Sequence, residues 1–196
     1  MKSMRLLALA GFSLIALTGQ AGVGFAEMPG LKVELPEAVS ETEGKIQAED
    51  VVAAQEEWGN GIVAIAKVHS EGGDFKARAT EHINSLYAYG ETPVMFKPTL
   101  AAEDQFRETF EEALSYFIGT EGSEDKGFAI KGWTNVRWES NGIYTDGDSA
   151  MAMGNYFFTG PDGTETKVEY TFGYVVDDEG DLRINLHHSS LPFAAK

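Results

Sequence analysis

Two adjacent histidines, His187 and His188, stand near the end of a sequence that holds four in all. Imidazole titrates near neutral pH, so either could serve as general acid, general base or hydrogen-bond donor. On a strand, neighbouring residues point to opposite faces. Parity with Leu182, Ile184 and Leu186 puts His188 on the more apolar face, while His187 shares its side with Arg183, Asn185 and Ser189. His188 is then the candidate catalytic residue, and His187 takes its place if the register shifts by one. His82 is a third candidate. It lies three residues after Ala79 and four before Leu86, at the margin of a helical apolar stripe, where it could face the last strand across a pocket. His69 falls in the last turn of a helix, where a positive charge complements the helix dipole.

Other polar and aromatic residues could shape a ligand site. Trp58, Tyr87, Met153, Asn155 and Tyr174 are the candidate ligand-binding residues, since an inward phenol can orient a small molecule or polarise a carbonyl. His82, Tyr87 or Asn155 could pair with the inward histidine. Met151 and Met153 alternate with Ala150 and Ala152, a pattern suited to an adaptable pocket wall or to a sheet-to-sheet interface. No metal and no cofactor are expected. The chain has no cysteine, and its histidines lack the spacing of a helical ligand pair. The acidic turns Asp146-Gly147-Asp148 and Asp177–Asp181 lack the spacing of a calcium loop. No phosphate loop, nucleophile elbow or dinucleotide fingerprint occurs. Carboxylates cluster in turns and on solvent faces, so none is placed on an apolar strand face to act as a base.

Charge limits the partners. The 196 residues carry 31 Asp and Glu against 15 Lys and Arg, a formal net charge of −16. That sign excludes nucleic acid and an anionic membrane surface as partners. Lys2 and Arg5 precede the short apolar run Leu6–Leu17, and small residues follow it. This is the pattern of a signal peptide over 1–26, cut after Ala21 or Ala26, so the mature chain is expected to be exported and soluble in the periplasm or outside the cell. Residues 27–45 hold Pro29, Gly30, Pro36 and Gly44 without periodicity and read as a flexible arm. One domain over 46–196 remains.

The elements that must position these residues follow from periodicity. Val51, Ala54, Trp58, Ile62, Ile65 and His69 make one face of a first helix. Gly59 and Gly61 weaken it by roughly 1 kcal/mol each relative to alanine, so tertiary packing must hold it. Gly72-Gly73 ends it, and Asp74 caps a second helix with Phe75, Ala79, Ile83 and Leu86 inward. Residues 93–98, bracketed by Pro93 and Pro98, suit an edge strand. A third helix is expected from about Ala102 to Ile118, with Phe106, Phe110, Ala113, Leu114 and Phe117 inward. Four strands then follow over 128–143, 149–159, 164–176 and 182–190, joined by Asp/Gly/Pro turns. The class is α+β, helices against one face of an antiparallel meander.

Gly73-Asp74-Phe75, Phe96-Lys97-Pro98, the helix and long hairpins after them, and His187-His188-Ser189-Ser190-Leu191-Pro192 resemble the nuclear-transport-factor-2-like superfamily. The likeness covers roughly 46–193 and is strongest to its calcium/calmodulin-dependent kinase II association-domain branch and to SnoaL-like and SgcJ/EcaC-like bacterial proteins. The resemblance implies a cone, a strongly curved, mostly antiparallel sheet wrapped around three helices with a pocket at its open end. It also implies homodimers or larger rings formed through the sheet. Where the association domains carry pocket arginines, the strands here read Met151–Asn155 and Thr171–Tyr174, which speaks against an arginine cluster for a carboxylate. The expectation is an exported domain that self-assembles and binds a small apolar or mixed-polarity ligand in its cone. The alternatives are a cofactor-independent SnoaL-like lyase, isomerase or cyclase with a pocket histidine moving a proton, and a ligand-free oligomerisation module. Whether the chain is an enzyme stays open at this point.

Overall fold

The computed structural model describes residues 46–194. The leader expected over 1–26 and the arm over 27–45 lie outside the described residues. Helix α1 spans Ala48–Ser70, α2 Phe75–Leu86 and α3 Phe110–Ile118. Strands β1 (Met95–Lys97), β2 (Asn135–Asp146), β3 (Ser149–Thr159), β4 (Glu165–Val176) and β5 (Leu182–Ser190) form one open sheet in the order β1-β5-β4-β3-β2. All neighbours are antiparallel except β1, the expected edge strand, which runs parallel to β5. This is the α+β cone. Among the described residues no helix is long and apolar enough to cross a membrane.

The helices form where the sequence supplies caps and a buried stripe. Asp74 accepts the Ala77 N–H at 2.9 Å and starts α2. Val51, Ala54, Trp58, Ile62 and Ile65 of α1 are buried, as are Ala79, Ile83 and Leu86 of α2. Gly61 is needed because α2 comes so close: a Cβ there would lie 2.1 Å from His82 Nδ1. Gly59 allows the same approach to β2, where a Cβ would meet Val136 Cβ at 3.1 Å. The helix propensity these glycines cost is exchanged for close packing.

The third helix is shorter than its apolar spacing suggests. Glu124 accepts the backbone N–H groups of Ala102, Glu103 and Asp104 at 2.8, 3.1 and 3.0 Å, which turns that segment away from helix. Phe106 is 54% exposed rather than inward. The helix starts at a capping box, with Thr109 Oγ1 accepting the Glu112 N–H and Glu112 accepting the Thr109 N–H. Residues 98–109 instead form a strap. Arg107, 3% exposed, fixes it by an ion pair to Asp125 at 2.7 Å and by bonds to the Asp104 and Phe106 carbonyls. The strand expected over 128–143 also changes at its start. Phe128–Ile130 is a single 3-10 turn, and β2 begins at Asn135.

Two irregularities bend the sheet. The β2/β3 register shifts between Ser140 and Gly142, and the β4/β5 register shifts between Gly173 and Tyr174. In the second, Tyr174 pairs with Ile184 and Gly173 with Leu186, so Asn185 is the extra residue. Ile184 faces the core before the bulge, and His187 and Ser189 face it afterwards, all three being buried. Simple alternation across Asn185 therefore fails.

Candidate active site

The bulge decides the histidine question in favour of His187. Its ring is sandwiched, with centroids 4.1 Å from Phe172 and 4.6 Å from Phe96, and Trp58 meets it edge-on at 5.5 Å. Strand β1 supplies Phe96, directly beside His187 in the parallel register, and β4 supplies Phe172 in the antiparallel one. His187 Nδ1 lies 2.8 Å from the Tyr87 hydroxyl, and Nε2 lies 3.4 Å from that of Tyr156. Trp58 Nε1 donates to the Tyr87 oxygen at 2.9 Å. Burial, helped by the charges of His188 and His82, pushes the His187 imidazole down to about 3, so it is neutral at physiological pH. Burial raises Tyr87, Tyr116 and Tyr156 above ordinary phenol values, so these hydroxyls keep their protons and serve as donors.

A cavity of about 220 Å³ opens beside this histidine. Its apolar wall is aromatic, made by Phe96, Phe117, Phe128, Trp133 and Phe158 with the ring of Trp58. Polar groups of Thr99, Tyr116, Tyr156, His187 and Ser189 are set among these rings, Tyr116 stacked on Phe128 at 5.6 Å and Tyr156 4.7 Å from Phe158. The Thr99 hydroxyl donates to Ser189 Oγ at 2.9 Å, joining the start of the strap to the end of β5. Leu100, Lys131 and Leu191, all exposed, border the mouth. The volume falls below that of drug-sized sites, which run from roughly 300 Å³ upward, and fits a molecule of a few heavy atoms. The lining supplies one imidazole and no carboxylate, where a metal centre takes three or four such ligands. Among the described residues no cluster of three His, Asp or Glu side chains could hold a metal ion.

The other expected site residues are dispersed. His188 points out of the cone and is exposed, because the Asn185 bulge reverses the parity that placed it inside. Met153 and Asn155 share that outer face and line a shallow groove there with His188 and Glu169. His82 is buried behind the site, its ring centroid 6.1 Å from Trp58 and 5.7 Å from Phe117, and does not line the cavity. Burial, with a smaller effect from Arg78, pushes it down to about 3. Tyr174 is likewise a core residue, stacked on Phe172 at 5.9 Å. Trp58 lines the cavity, and Tyr87 supports His187 from the far side. Thr99, Tyr116, Tyr156 and Ser189 were not singled out as site residues by sequence. Ser189 and Tyr156 had a signal, in the terminal His-His-Ser-Ser stretch and in the aromatic strands; Thr99, in a loop after Pro98, had none.

A bent open sheet with three helices is the cone fold of nuclear-transport-factor-2-like proteins. A putative calcium/calmodulin-dependent protein kinase II association domain from Xanthomonas campestris shares this fold at 22% identity and a TM-score of 0.55, over 76% of this chain and 91% of that one. The family assignment is sharper than the fold. Residues 49–191 match the family described as metal-independent carbonic anhydrase. A metal-independent carbonic anhydrase from Nostoc sp. is 37% identical over 94% of this chain and 91% of its own length. The crystal structure of an iota-carbonic anhydrase from a cyanobacterium, complexed with bicarbonate, is 38% identical with a TM-score of 0.75, covering 81% of this chain and all of that one. The chain belongs to the metal-independent carbonic anhydrase family. That membership overturns the expectations of a non-catalytic binding domain, of a SnoaL-like lyase, isomerase or cyclase, and of a ligand-free module.

Proposed function

We propose that this chain interconverts carbon dioxide and bicarbonate in the cavity beside His187. Family membership supports the reaction. The observation that carries it to this site is one small cavity whose lining combines aromatic rings with neutral hydroxyl and imidazole groups and holds no carboxylate. Carbon dioxide is apolar and linear and packs against Phe128, Phe158 and Trp133. A water molecule held by the paired Thr99 and Ser189 hydroxyls faces its carbon. Attack forms a carbon–oxygen bond, and negative charge moves onto the two original oxygens. His187, Tyr116 and Tyr156, which line the same cavity, supply N–H and O–H groups to that charge, and such fixed donors act strongly where water is excluded. The water's proton leaves to solvent through the hydroxyl pair and the mouth, and bicarbonate departs past Lys131, the one cation of the lining.

Stopped-flow carbon dioxide hydration with a pH indicator tests this, run with and without a strong chelator. A rate well above the uncatalysed one, unchanged by the chelator, is the expected result. A folded protein that gives only the uncatalysed rate overturns it.

Two further readings belong with this function. The outer sheet face exposes Tyr144, Met151 and Met153 at 59, 55 and 51%, an apolar surface through which copies of the chain pair. The basic and apolar residues over 1–26 act as a leader for export, so the hydration reaction runs outside the cytoplasm.

A further inference from the structure

We infer that Trp58 and Tyr87 form a one-way hydrogen-bond chain that holds His187 as its Nε2–H tautomer, so that the cavity receives an N–H donor and not a basic nitrogen. The inference deepens the proposed carbonic anhydrase reading and rests on it for its catalytic meaning.

Three features carry it. An indole N–H only donates, so the Trp58–Tyr87 bond at 2.9 Å must use a lone pair of the Tyr87 oxygen. A phenolic O–H lies in the plane of its ring, which leaves the hydrogen on the side away from that lone pair, toward His187 Nδ1 at 2.8 Å. If Nδ1 carried the hydrogen instead, the Tyr87 oxygen would accept twice and its own hydrogen would have no acceptor. Tyr87 is 1% exposed, so an unmade bond there has no water to replace it. Nδ1 is therefore the acceptor and Nε2 carries the proton.

The far side agrees. Nε2 looks toward the Tyr156 oxygen at 3.4 Å, beyond a good hydrogen bond, and both residues line the cavity. An oxygen atom of a bound ligand can complete that donor's coordination. His187 then stabilises charge on a substrate oxygen and does not take the proton from the attacking water. Tyr87 acts through His187 and is a positioning residue.

The test reads nitrogen protonation directly. In protein labelled with 15N-histidine, two-bond 1H–15N spectra without carbon dioxide should show His187 Nδ1 at the unprotonated position and Nε2 at the protonated one. A coupling from a slowly exchanging Tyr87 hydroxyl proton to Nδ1 is expected in the same protein. The reverse nitrogen pattern, or a mixture of both, overturns the assignment even if no variant folds. In Tyr87→Phe the preference should fall by about tenfold or more, the factor that one unmade buried hydrogen bond corresponds to. The turnover number for hydration should fall with it while KM for carbon dioxide changes little. An unchanged tautomer in that variant removes Tyr87 from the role. Because the spectra need no substrate, a chain that fails to hydrate carbon dioxide would sink the functional reading and leave the tautomer standing.

Discussion

Thr99 donates its hydroxyl hydrogen to Ser189 Oγ at 2.9 Å, joining two cavity-lining residues 90 positions apart in the chain. Ser189 is 4% exposed and sits on a rigid strand, while Thr99 begins the strap that Glu124 and Arg107 pin down. The pair is held from both sides, so a water between it and carbon dioxide meets a preformed cradle.

Ser189→Ala and Thr99→Val should each lower carbon dioxide hydration. Loss of one buried hydrogen-bonding partner costs about 1–3 kcal/mol, or roughly 5- to 150-fold in rate if the bond is made in the transition state. The double variant should fall short of the product of the two, because the residues share one hydrogen bond. Full additivity in stopped-flow rates would show that they act separately.

Stability should depend on pH through the two buried histidines. His82 and His187 are both held at about 3, below the 6.5 of a free imidazole. The unfolded chain takes up protons below pH 6.5 and the folded chain does not. The stability they contribute is therefore fully present above that value and is lost as pH falls toward 3. The slope approaches about 1.4 kcal/mol per pH unit for each histidine. Glu124, held at about 2 chiefly by the Ala102 N–H, contributes in the same direction, in a lower window that opens below the ordinary carboxylate value of 4.5. Urea midpoints should fall between pH 6.5 and 5, and His82→Gln should remove about half of that fall. A flat profile over this interval would contradict the burial of both rings as neutral groups.

The strap should depend on a buried ion pair. Arg107 and Asp125 side chains are 3 and 5% exposed, and Ser115 donates to the second Asp125 oxygen at 2.7 Å. Asp125→Ala leaves the buried guanidinium with the Glu124 carboxylate at 3.5 Å and two backbone carbonyls. It should therefore cost less than the roughly 3–5 kcal/mol of a fully stranded buried charge, on the order of 1–3 kcal/mol for the lost charged hydrogen bond. Asp125→Asn keeps acceptor and shape and should cost less. Chemical denaturation of both variants checks the order.

The outer face of the sheet should hold copies together. Met153→Lys adds a charge where the exposed apolar side chains of Met151 and Tyr144 meet the polar groove of Asn155, Glu169 and His188. Sedimentation should find an oligomer for the parent and a monomer for the variant with unchanged circular dichroism. A monomeric parent rules out this surface as an interface.

Most of the frame was legible because it rests on local rules. The stripe from Val51 to Ile65, the Asp74 cap and the turns between β2 and β5 all follow from spacing and turn residues close in sequence. The misses came from partners far along the chain. The expected helix from Ala102 loses its start to the carboxylate of Glu124, 20 or more residues later, which no periodicity reveals. Thr99 reaches the site because β1 pairs in parallel with β5, a connection invisible in either segment alone. The choice between His187 and His188 turned on one extra residue, since a bulge reverses the alternation beyond it.

That bulge supplies the last prediction. Gly173 lies opposite it, and a Cβ there would stand 2.9 Å from Leu186 Cβ and 3.1 Å from Asn185 Oδ1. The neighbours on the bulged strand cannot move freely, because Leu186 also pairs with Met95 and His187 with Phe96 across β1. Gly173→Ala should therefore destabilise by about 1–3 kcal/mol, the cost of forcing a methyl into a filled space. It should also lower hydration, since relief by strand movement shifts His187 against Phe172, its neighbour at 4.1 Å. Gly142→Ala is the control, at the other register shift of the same sheet. No heavy atom lies within 4 Å of its added methyl, and its backbone is not in the left-handed region. That variant should match the parent in both urea midpoint and rate. Equal effects from the two substitutions would mean that strand glycines matter here only for backbone freedom. A loss confined to Gly173→Ala would tie the position of His187 to the packing of one bulge.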